Sequence, residues 1–231
     1  MVDAVEVGPG TGILTQALLA AGATITAVEI DPMMVRILEG RDDLRGVRLE
    51  LADGLTFDYD ATVVQPWCAC GNLPYNVATP LVLRWLGLAI PPARIVVMVQ
   101  RDVADRFTAR PGTPAYGSLT LAIRYDMEVR RAFVLGPSAF YPRPRVDSAV
   151  VVMERRLCPA APTRDRAFLL QVVRAAFAYR RKTLANSLSL ALGIERAATQ
   201  DALRALGLDT EIRAEHLELD AFAAIADRLA P

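Results

Sequence analysis

Three short segments in the first quarter of the chain combine residue types that can hold a nucleoside. Gly8, Gly10 and Gly12 lie in EVGPGTG, Glu29 lies in AVEID, and Asp53 lies in LADG. Glycines let a backbone approach a ligand closely, while one acid can accept hydrogen bonds from ribose hydroxyls and the other from an adenine amine. The third glycine comes one position earlier than in the dinucleotide fingerprint, and no P-loop lysine follows. The set predicts a cofactor with adenosine but no phosphate, S-adenosylmethionine.

The segment GNLPYN, residues 71–76, offers groups that can act on an aromatic amine. The lone pair of such an amine is delocalised into its ring, which makes it a poor nucleophile. The side-chain oxygen of Asn72 and the carbonyl of Leu73 can accept hydrogen bonds from its N–H groups and localise that pair on nitrogen. Pro74 would stiffen the loop, and Tyr75 would stack on the base. A turn with a packed tyrosine is the alternative for this tetrapeptide in isolation.

These segments must be positioned by the elements around them. Short apolar runs alternate with helical patterns, which is typical of a parallel sheet covered by helices on both faces. Strands are predicted at Val2–Val7, Thr24–Glu29, Val47–Leu51, Trp67–Cys70 and Arg94–Gln100, and helices at Ile13–Ala21, Pro32–Glu39 and Thr79–Leu88. Ligands bind beyond the carboxyl ends of the strands in such sheets. The candidate residues therefore meet at one edge.

The second half of the chain changes in character. Met127–Leu135 and Ser148–Arg155 flank the proline-rich segment GPSAFYPRPRVD, a spacing that predicts a hairpin at the sheet edge. LCPAAPTRDR is a predicted linker, and amphipathic helices follow from about Arg166. The prediction is an α/β fold: a Rossmann-like methyltransferase sheet, mostly parallel with an antiparallel edge strand, over residues 1–156, and a small all-helical domain over residues 157–231.

Charge is unevenly distributed along a chain whose formal net charge is zero. Residues 101–182 carry 15 Arg and Lys182 against 7 acidic residues, while the segments on either side are acidic. A basic segment of this kind favours a polyanionic partner. A solvated arginine surface in a chain with a single lysine explains the same charge equally well.

Composition excludes other classes of protein. The three cysteines and the lone His216 lack the spacing of a metal site or a disulfide framework. Unpaired cysteines and the lack of a visible targeting segment predict a cytoplasmic protein. The apolar stretch from Pro80 to Val99 is interrupted by arginines and prolines, so we expect no membrane span.

Taken together, EVGPGTG, VEID, ADG and GNLPYN resemble the ribosomal RNA adenine dimethyltransferases. The resemblance continues through QRDVADRFTARPGTPAYGSLT, PSAFYPRPRVDSAVV and FAYRRKTLANSL and covers nearly the whole chain. It implies a fold, an activity and a set of site residues. Cofactor contacts would come from Gly8, Gly10, Glu29, Asp53 and Asn72, the catalytic loop would be Asn72, Leu73, Pro74 and Tyr75, and Phe140 would form the second ring that sandwiches the target adenine.

The family converts two adjacent adenosines near the 3′ end of small-subunit ribosomal RNA to dimethyladenosines, using four cofactor molecules. It acts on an immature subunit rather than on free RNA, and we expect a monomer. The basic stretch would then contact RNA phosphates, which position an RNA without reading its sequence. The predicted RNA-binding residues are Arg101, Arg106, Arg143, Arg145, Arg180, Arg181 and Lys182. We expect about a third of the arginines to pair with local acids such as Asp102 and Asp105.

Other functions remain open from the sequence. One is a large-subunit ribosomal RNA adenine methyltransferase of the macrolide-resistance type, although SAFYPRPRVDSAVV and the helical tail resemble the small-subunit type more closely. A non-catalytic ribosome assembly factor and a small-molecule methyltransferase are two more. Family members also carry a segment of the pattern F-x-Q-x-F before the glycine loop, which folds over the cofactor. The chain as numbered starts five residues before Glu6, so we expect an open cleft and weak cofactor binding.

Overall fold

One twisted sheet organises the first part of the chain. The computed structural model describes residues 2–74 and 76–230. Within them, seven strands lie in the order β3-β2-β1-β4-β5-β7-β6. The strands are β1 (Asp3–Val7), β2 (Thr24–Glu29), β3 (Arg48–Leu51), β4 (Trp67–Asn72), β5 (Arg94–Gln100), β6 (Met127–Leu135) and β7 (Ser148–Arg155). The first five pair in parallel.

Crossover helices connect the parallel strands, as the alternating pattern predicts. They are α1 (Ile13–Ala20), α2 (Pro32–Glu39) and α3 (Ala78–Leu86). In α2, the side chain of Asp31 accepts a hydrogen bond from the backbone N–H of Met33, and Pro32 occupies the first turn, where its missing N–H costs nothing. The strands bury their apolar residues between the layers, including Val5, Ala27, Ala69 and Val97. Each predicted boundary lies within two residues of the observed one.

The last two strands complete the sheet on the far side of β5. β7 pairs antiparallel with β5, from Arg94 opposite Glu154 to Gln100 opposite Ser148. β6 lies outside β7 at the edge of the sheet. The predicted fold class, a mostly parallel Rossmann-like sheet with antiparallel pairing near one edge, is confirmed.

Helices make up the remainder of the chain. They are α4 (Arg101–Thr108), α5 (Ser118–Asp126), α6 (Arg166–Ala176), α7 (Leu184–Leu192), α8 (Arg196–Ala205) and α9 (Leu219–Leu229). α6 packs against α5, α7 and α9, and α8 packs against α7 and α9. Their shared core contains Leu169, Val172, Leu188 and Phe222, each fully buried. The amphipathic patterns therefore form a second hydrophobic core.

The chain divides into two compact units. One contains Met1–Ala104 and Glu128–Arg155, and the other contains Asp105–Met127 and Arg156–Pro231. One boundary between the units falls at Arg155 and Arg156, and Asp105–Met127 belongs to the helical unit even though it precedes β6 and β7. The assignment of a methyltransferase domain to residues 1–156 and of a helical domain to residues 157–231 stays a prediction.

Candidate functional site

The glycine loop between β1 and α1 exposes bare backbone. Gly8 and Gly10 have φ angles of 71° and 56°, and a Cβ added at either would meet no atom within 4 Å. Gly12 differs, because its Cβ would lie 2.8 Å from side-chain atoms of Leu38 and Leu44. The first two glycines therefore leave room for a ligand, while the third lets α1 pack closely.

Glu29 is held as a fixed acceptor at the end of β2. Its side chain is 7% exposed. Its Oε1 accepts hydrogen bonds from the backbone N–H groups of Ile30 at 2.9 Å and Asp31 at 3.0 Å, and its Oε2 accepts from Gly10 at 3.3 Å. The carboxylate thus links the glycine loop to the end of β2, and Ile30 beside it is 64% exposed. The carboxylate suits the hydroxyls of a ribose, and the exposed Ile30 offers an apolar surface to the attached base.

Asp53 lies two residues after β3 and organises its own turn. Its Oδ1 accepts a hydrogen bond from the N–H of Leu55 at 2.8 Å, and its carbonyl accepts from Thr56 and Phe57. The next residue, Gly54, has a Cβ position only 2.7 Å from the side chain of Val7. The turn is therefore tied to β1. Within residues 2–74 and 76–230, the Oδ2 of this half-buried carboxylate accepts no hydrogen bond and can take another donor.

In the loop after β4, the carbonyls of Pro74 and Leu73 differ in whether they accept a hydrogen bond. Pro74 accepts hydrogen bonds from Val77 N–H at 3.0 Å and Ala78 N–H at 3.1 Å, which starts α3. Leu73 donates its N–H to Met98 at 3.0 Å, and its carbonyl accepts no hydrogen bond within residues 2–74 and 76–230. The Asn72 side chain is exposed at the end of β4. Tyr75 lies outside the described residues.

Gly71 explains why the motif begins with glycine. A Cβ there would lie 2.4 Å from the carbonyl oxygen of Val7. Only glycine therefore lets β4 run this close to β1 beside the glycine loop. Gly8, Glu29, Asp53 and Asn72 follow or end four neighbouring parallel strands, so the sheet brings the predicted cofactor-binding residues to one edge.

Phe140 lies in the loop between β6 and β7 and is half-buried. It follows a short 3-10 turn at Pro137–Ala139. The same loop carries Arg143 and Arg145, both exposed. Arg101, at the start of α4, pairs with Asp147 at 3.2 Å and donates its backbone N–H to the carbonyl of that residue at 3.0 Å. Arg101 therefore anchors the end of the loop, and its partner is Asp147 rather than Asp102.

The remaining predicted RNA-binding residues lie in the helical unit. Arg106 is exposed on α4, and Arg180, Arg181 and Lys182 are exposed in the loop between α6 and α7. Arg110 lies beyond α4, which ends at Thr108. The three adjacent cations stand on a loop rather than on a helix.

Sequence reasoning missed two contacts that support the site. Glu6 on β1 is 1% exposed and accepts a 2.6 Å hydrogen bond from the hydroxyl of Thr15. Burial raises the pKa of Glu6, and the bond from Thr15 opposes that rise. Arg41 donates to the Thr11 carbonyl at 2.6 Å and also pairs with Asp43. In the sequence, the only sign of the Glu6 contact is a charged residue within an otherwise apolar strand.

The groups at the sheet edge fit S-adenosylmethionine. Open space over Gly8 and Gly10 and two carboxylates that can accept hydrogen bonds match an adenosine without phosphate. Within the described part of the chain, no group of three or more His, Cys, Asp or Glu residues could hold a metal ion. The helices there are also too short or too polar to cross a bilayer.

Comparison with known proteins agrees with the motifs. The family model for ribosomal RNA adenine dimethylase matches residues 2–231. The chain is 37% identical over 238 residues to a ribosomal RNA small subunit methyltransferase A from Streptococcus gordonii, covering 99% of this chain and 82% of that protein. It is 41% identical over 226 residues to the protein of that name from Hahella chejuensis, covering 96% of this chain and 81% of that protein.

Two solved structures share the fold. A dimethyladenosine transferase from Plasmodium falciparum superposes with a TM-score of 0.78 at 22% identity, covering 97% of this chain and 88% of that one. The 23S rRNA methyltransferase ErmE superposes with a TM-score of 0.73 at 23% identity, covering 100% of this chain and 91% of that one. At these identities the likeness establishes the fold.

Proposed function

The chain belongs to the ribosomal RNA adenine dimethylase family, and from this premise we propose that it methylates the exocyclic amines of two adjacent adenosines near the 3′ end of small-subunit ribosomal RNA. The products are dimethyladenosines and the methyl donor is S-adenosylmethionine. The family match across residues 2–231 carries the proposal. The substrate is proposed to be an immature small ribosomal subunit, on which the protein acts as a monomer in the cytoplasm.

The acceptors at the sheet edge bind the cofactor in this proposal. S-adenosylmethionine supplies an electrophilic methyl group. Glu29, already fixed by three backbone N–H groups, accepts from the ribose hydroxyls. Asp53 accepts from the adenine amine, and the bare backbone of Gly8 and Gly10 admits the rest of the molecule. Because the acceptors are held before the ligand arrives, little ordering is needed on binding.

The loop after β4 orients the target amine. Asn72 contributes its side-chain oxygen and Leu73 its carbonyl, whereas the carbonyl of Pro74 is already engaged with α3. Hydrogen bonds from both N–H groups of the adenine amine to these acceptors hold its lone pair toward the methyl group. Methylation makes the nitrogen acidic, so its proton can pass to water without a strong base. Phe140, with Tyr75, is proposed to stack on the extruded base.

Methyl transfer from labelled S-adenosylmethionine tests the proposal. The substrates are small subunits that lack the dimethyladenosines, free small-subunit RNA, large subunits and small aromatic amines. We expect label in the undermethylated small subunits, with much less in free RNA. Label in large subunits would support the macrolide-resistance type, and label in small amines a small-molecule enzyme. Binding to small subunits without any transfer would leave an assembly factor.

A further inference from the structure

The helical unit contains a cavity lined by charged and aromatic side chains. None of its lining residues belongs to the site at the sheet edge. The cavity has a volume of about 260 Å³. Its walls are the turn at residues 112–114, the end of α6 with the loop after it, and the turn at residues 213–215. The polar and aromatic lining includes Phe177, Tyr179, Arg180, Lys182, Arg213 and Glu215.

The charge of the lining favours an anion. Three cations face the cavity with Glu215, and Arg213 already pairs with Glu215 at 3.5 Å. Across the described residues, the side chains of Arg180 and Lys182 make no hydrogen bond or ion pair. The cavity therefore offers two cations whose charge no partner neutralises, on a loop exposed to solvent. Phosphate groups of an RNA are the anions that such cations bind.

The aromatic residues of the lining differ in how they are held. Phe177 packs edge-on against Tyr116, with ring centroids 5.9 Å apart, and tilted against Phe222 at 6.0 Å. The hydroxyl of Tyr116 donates to the carbonyl of Leu217 at 2.7 Å. Tyr179, by contrast, is 44% exposed. The floor of the cavity is therefore fixed in the core, while one ring at its rim has surface left for stacking.

The walls are tied together by hydrogen bonds to backbone carbonyls. The guanidinium of Arg213 donates to the carbonyl of Arg180. Gly112 donates its N–H to the carbonyl of Glu215 at 2.7 Å, and Lys182 donates its N–H to the carbonyl of Tyr179 at 2.9 Å. The loop carrying the cations is thus joined to the turn at residues 213–215, which in turn is joined to the turn at residues 112–114. Hydrogen bonds within the chain therefore hold the walls of the cavity together.

We propose that this cavity binds one unpaired nucleotide of the ribosomal RNA, with its base stacked on Tyr179 and its phosphate held by Arg180 and Lys182. The inference rests on the proposed function, since it takes ribosomal RNA as the partner. Proteins read single-stranded RNA by stacking splayed bases on aromatic rings and by contacting the backbone. A volume of about 260 Å³ lies just below the roughly 300–1,000 Å³ of pockets for drug-sized ligands. It suits a single nucleotide rather than a duplex.

Equilibrium binding of labelled RNA tests the cavity. The probes are a single-stranded RNA pentanucleotide, the same chain with an abasic site at every position, and 5′-AMP. Stacking of a base on an aromatic ring is worth about 1–3 kcal/mol, so Tyr179→Ala should weaken pentanucleotide binding by at least about fivefold. Tyr179→Phe should restore it. Phe133→Ala, which removes an exposed ring from β6, is the matched control and should change nothing.

Two comparisons make the result specific. The abasic chain should bind wild type and Tyr179→Ala equally, because it has no base to stack. The loss caused by Tyr179→Ala should also be the same in a Phe140→Ala background, which locates it away from the proposed target-base site. Circular dichroism checks that each variant is folded.

Several outcomes would overturn the inference. These are an unchanged affinity in Tyr179→Ala, an equal loss with the abasic chain, or 5′-AMP binding as tightly as the pentanucleotide, which would indicate a free nucleotide as ligand. Methyl transfer by the wild type is measured in a separate assay, so that the cavity and the enzymatic activity are tested independently. Transfer without a Tyr179 effect rejects the cavity alone, and a Tyr179 effect without transfer rejects the enzymatic proposal alone.

Discussion

The edge of the sheet and the basic loops, the two regions proposed to bind ligands, differ in how their side chains are held. At the edge, Glu29 is nearly buried and three backbone N–H groups fix its carboxylate. In the loops, Arg143, Arg145 and Arg180–Lys182 are exposed. Their side chains pair with no group in the described part of the chain. A small nucleoside needs acceptors at defined positions, whereas a polyanion needs mainly charge density. The two regions should therefore respond differently to mutation and to salt.

The largest expected effect is at Asn72. Asn72→Ala removes one of two acceptors for the target amine, and loss of a single preorganised hydrogen-bonding group in an active site costs about 10²–10³-fold in rate. We expect single-turnover methyl transfer to fall by at least about 100-fold. Asn76→Ala, an exposed amide of the same loop, is the matched control. Near-full methyl transfer by Asn72→Ala would contradict the proposal that this loop binds the target amine.

Glu29 tests whether the edge holds the cofactor by position. Glu29→Ala removes a charged acceptor, and each hydrogen bond to such a group contributes about 1.5–3 kcal/mol. Calorimetry should show cofactor affinity at least about tenfold weaker, with Glu39→Ala, an exposed acid on α2, unchanged. Undiminished affinity in a folded Glu29→Ala protein would show that Glu29 does not hold the cofactor.

Replacement of Arg180, Arg181 and Lys182 together by alanine tests the basic loops. The logarithm of RNA affinity should fall steeply with the logarithm of salt for the wild type, by about 0.7 per phosphate neutralised on a single strand. The triple variant should flatten this slope by about 2. Arg196, Arg204 and Arg228, changed together, are the control. A wild-type slope in the Arg180–Lys182 variant would move the RNA surface elsewhere, and cofactor affinity should barely respond to salt in any variant.

The smallest effect concerns the pH dependence of stability. The pKa of Glu6 is raised from its ordinary 4.5 by burial. As pH rises above that value, the unfolded chain releases this proton before the folded protein does, so the contribution of Glu6 to the free energy of unfolding declines until pH passes its folded pKa. Glu6→Gln should remove this decline.

Thr15→Val is a second variant that tests the raised pKa of Glu6. It removes the hydrogen bond that lowers the pKa of Glu6, so the decline should continue to higher pH. Urea unfolding at a series of pH values measures both variants. Identical profiles for wild type and Glu6→Gln would mean that Glu6 is ionised as easily in the folded protein as in the unfolded chain.

Local patterns in the sequence were sufficient to predict the sheet. Apolar runs marked the strands to within two residues, and the glycines and acids that follow them marked the edge, because the carboxyl ends of parallel strands meet in one place. The strands Met127–Leu135 and Ser148–Arg155 were predicted with their observed boundaries. These features depend on residues close together in the chain.

Contacts between distant segments could not be predicted in this way. The packing of residues 105–127 with the C-terminal helices joins segments separated by two strands. The bond from Arg41 to Thr11 spans 30 residues. The cavity beside Tyr179 forms only where two turns and the end of α6 with its following loop come together. A periodic pattern reports which face of an element is buried, but not which element covers it.

Nucleoside analysis of methylated RNA measures the proposed product itself. Undermethylated small subunits are incubated with the protein and S-adenosylmethionine, and their RNA is digested and measured by mass spectrometry. We expect dimethyladenosine to approach two residues per subunit with the wild type, and to form at least about 100-fold more slowly when Asn72→Ala replaces it. Methylated adenosine confined to large-subunit RNA, or no methylated adenosine while the protein binds the subunit, would contradict it.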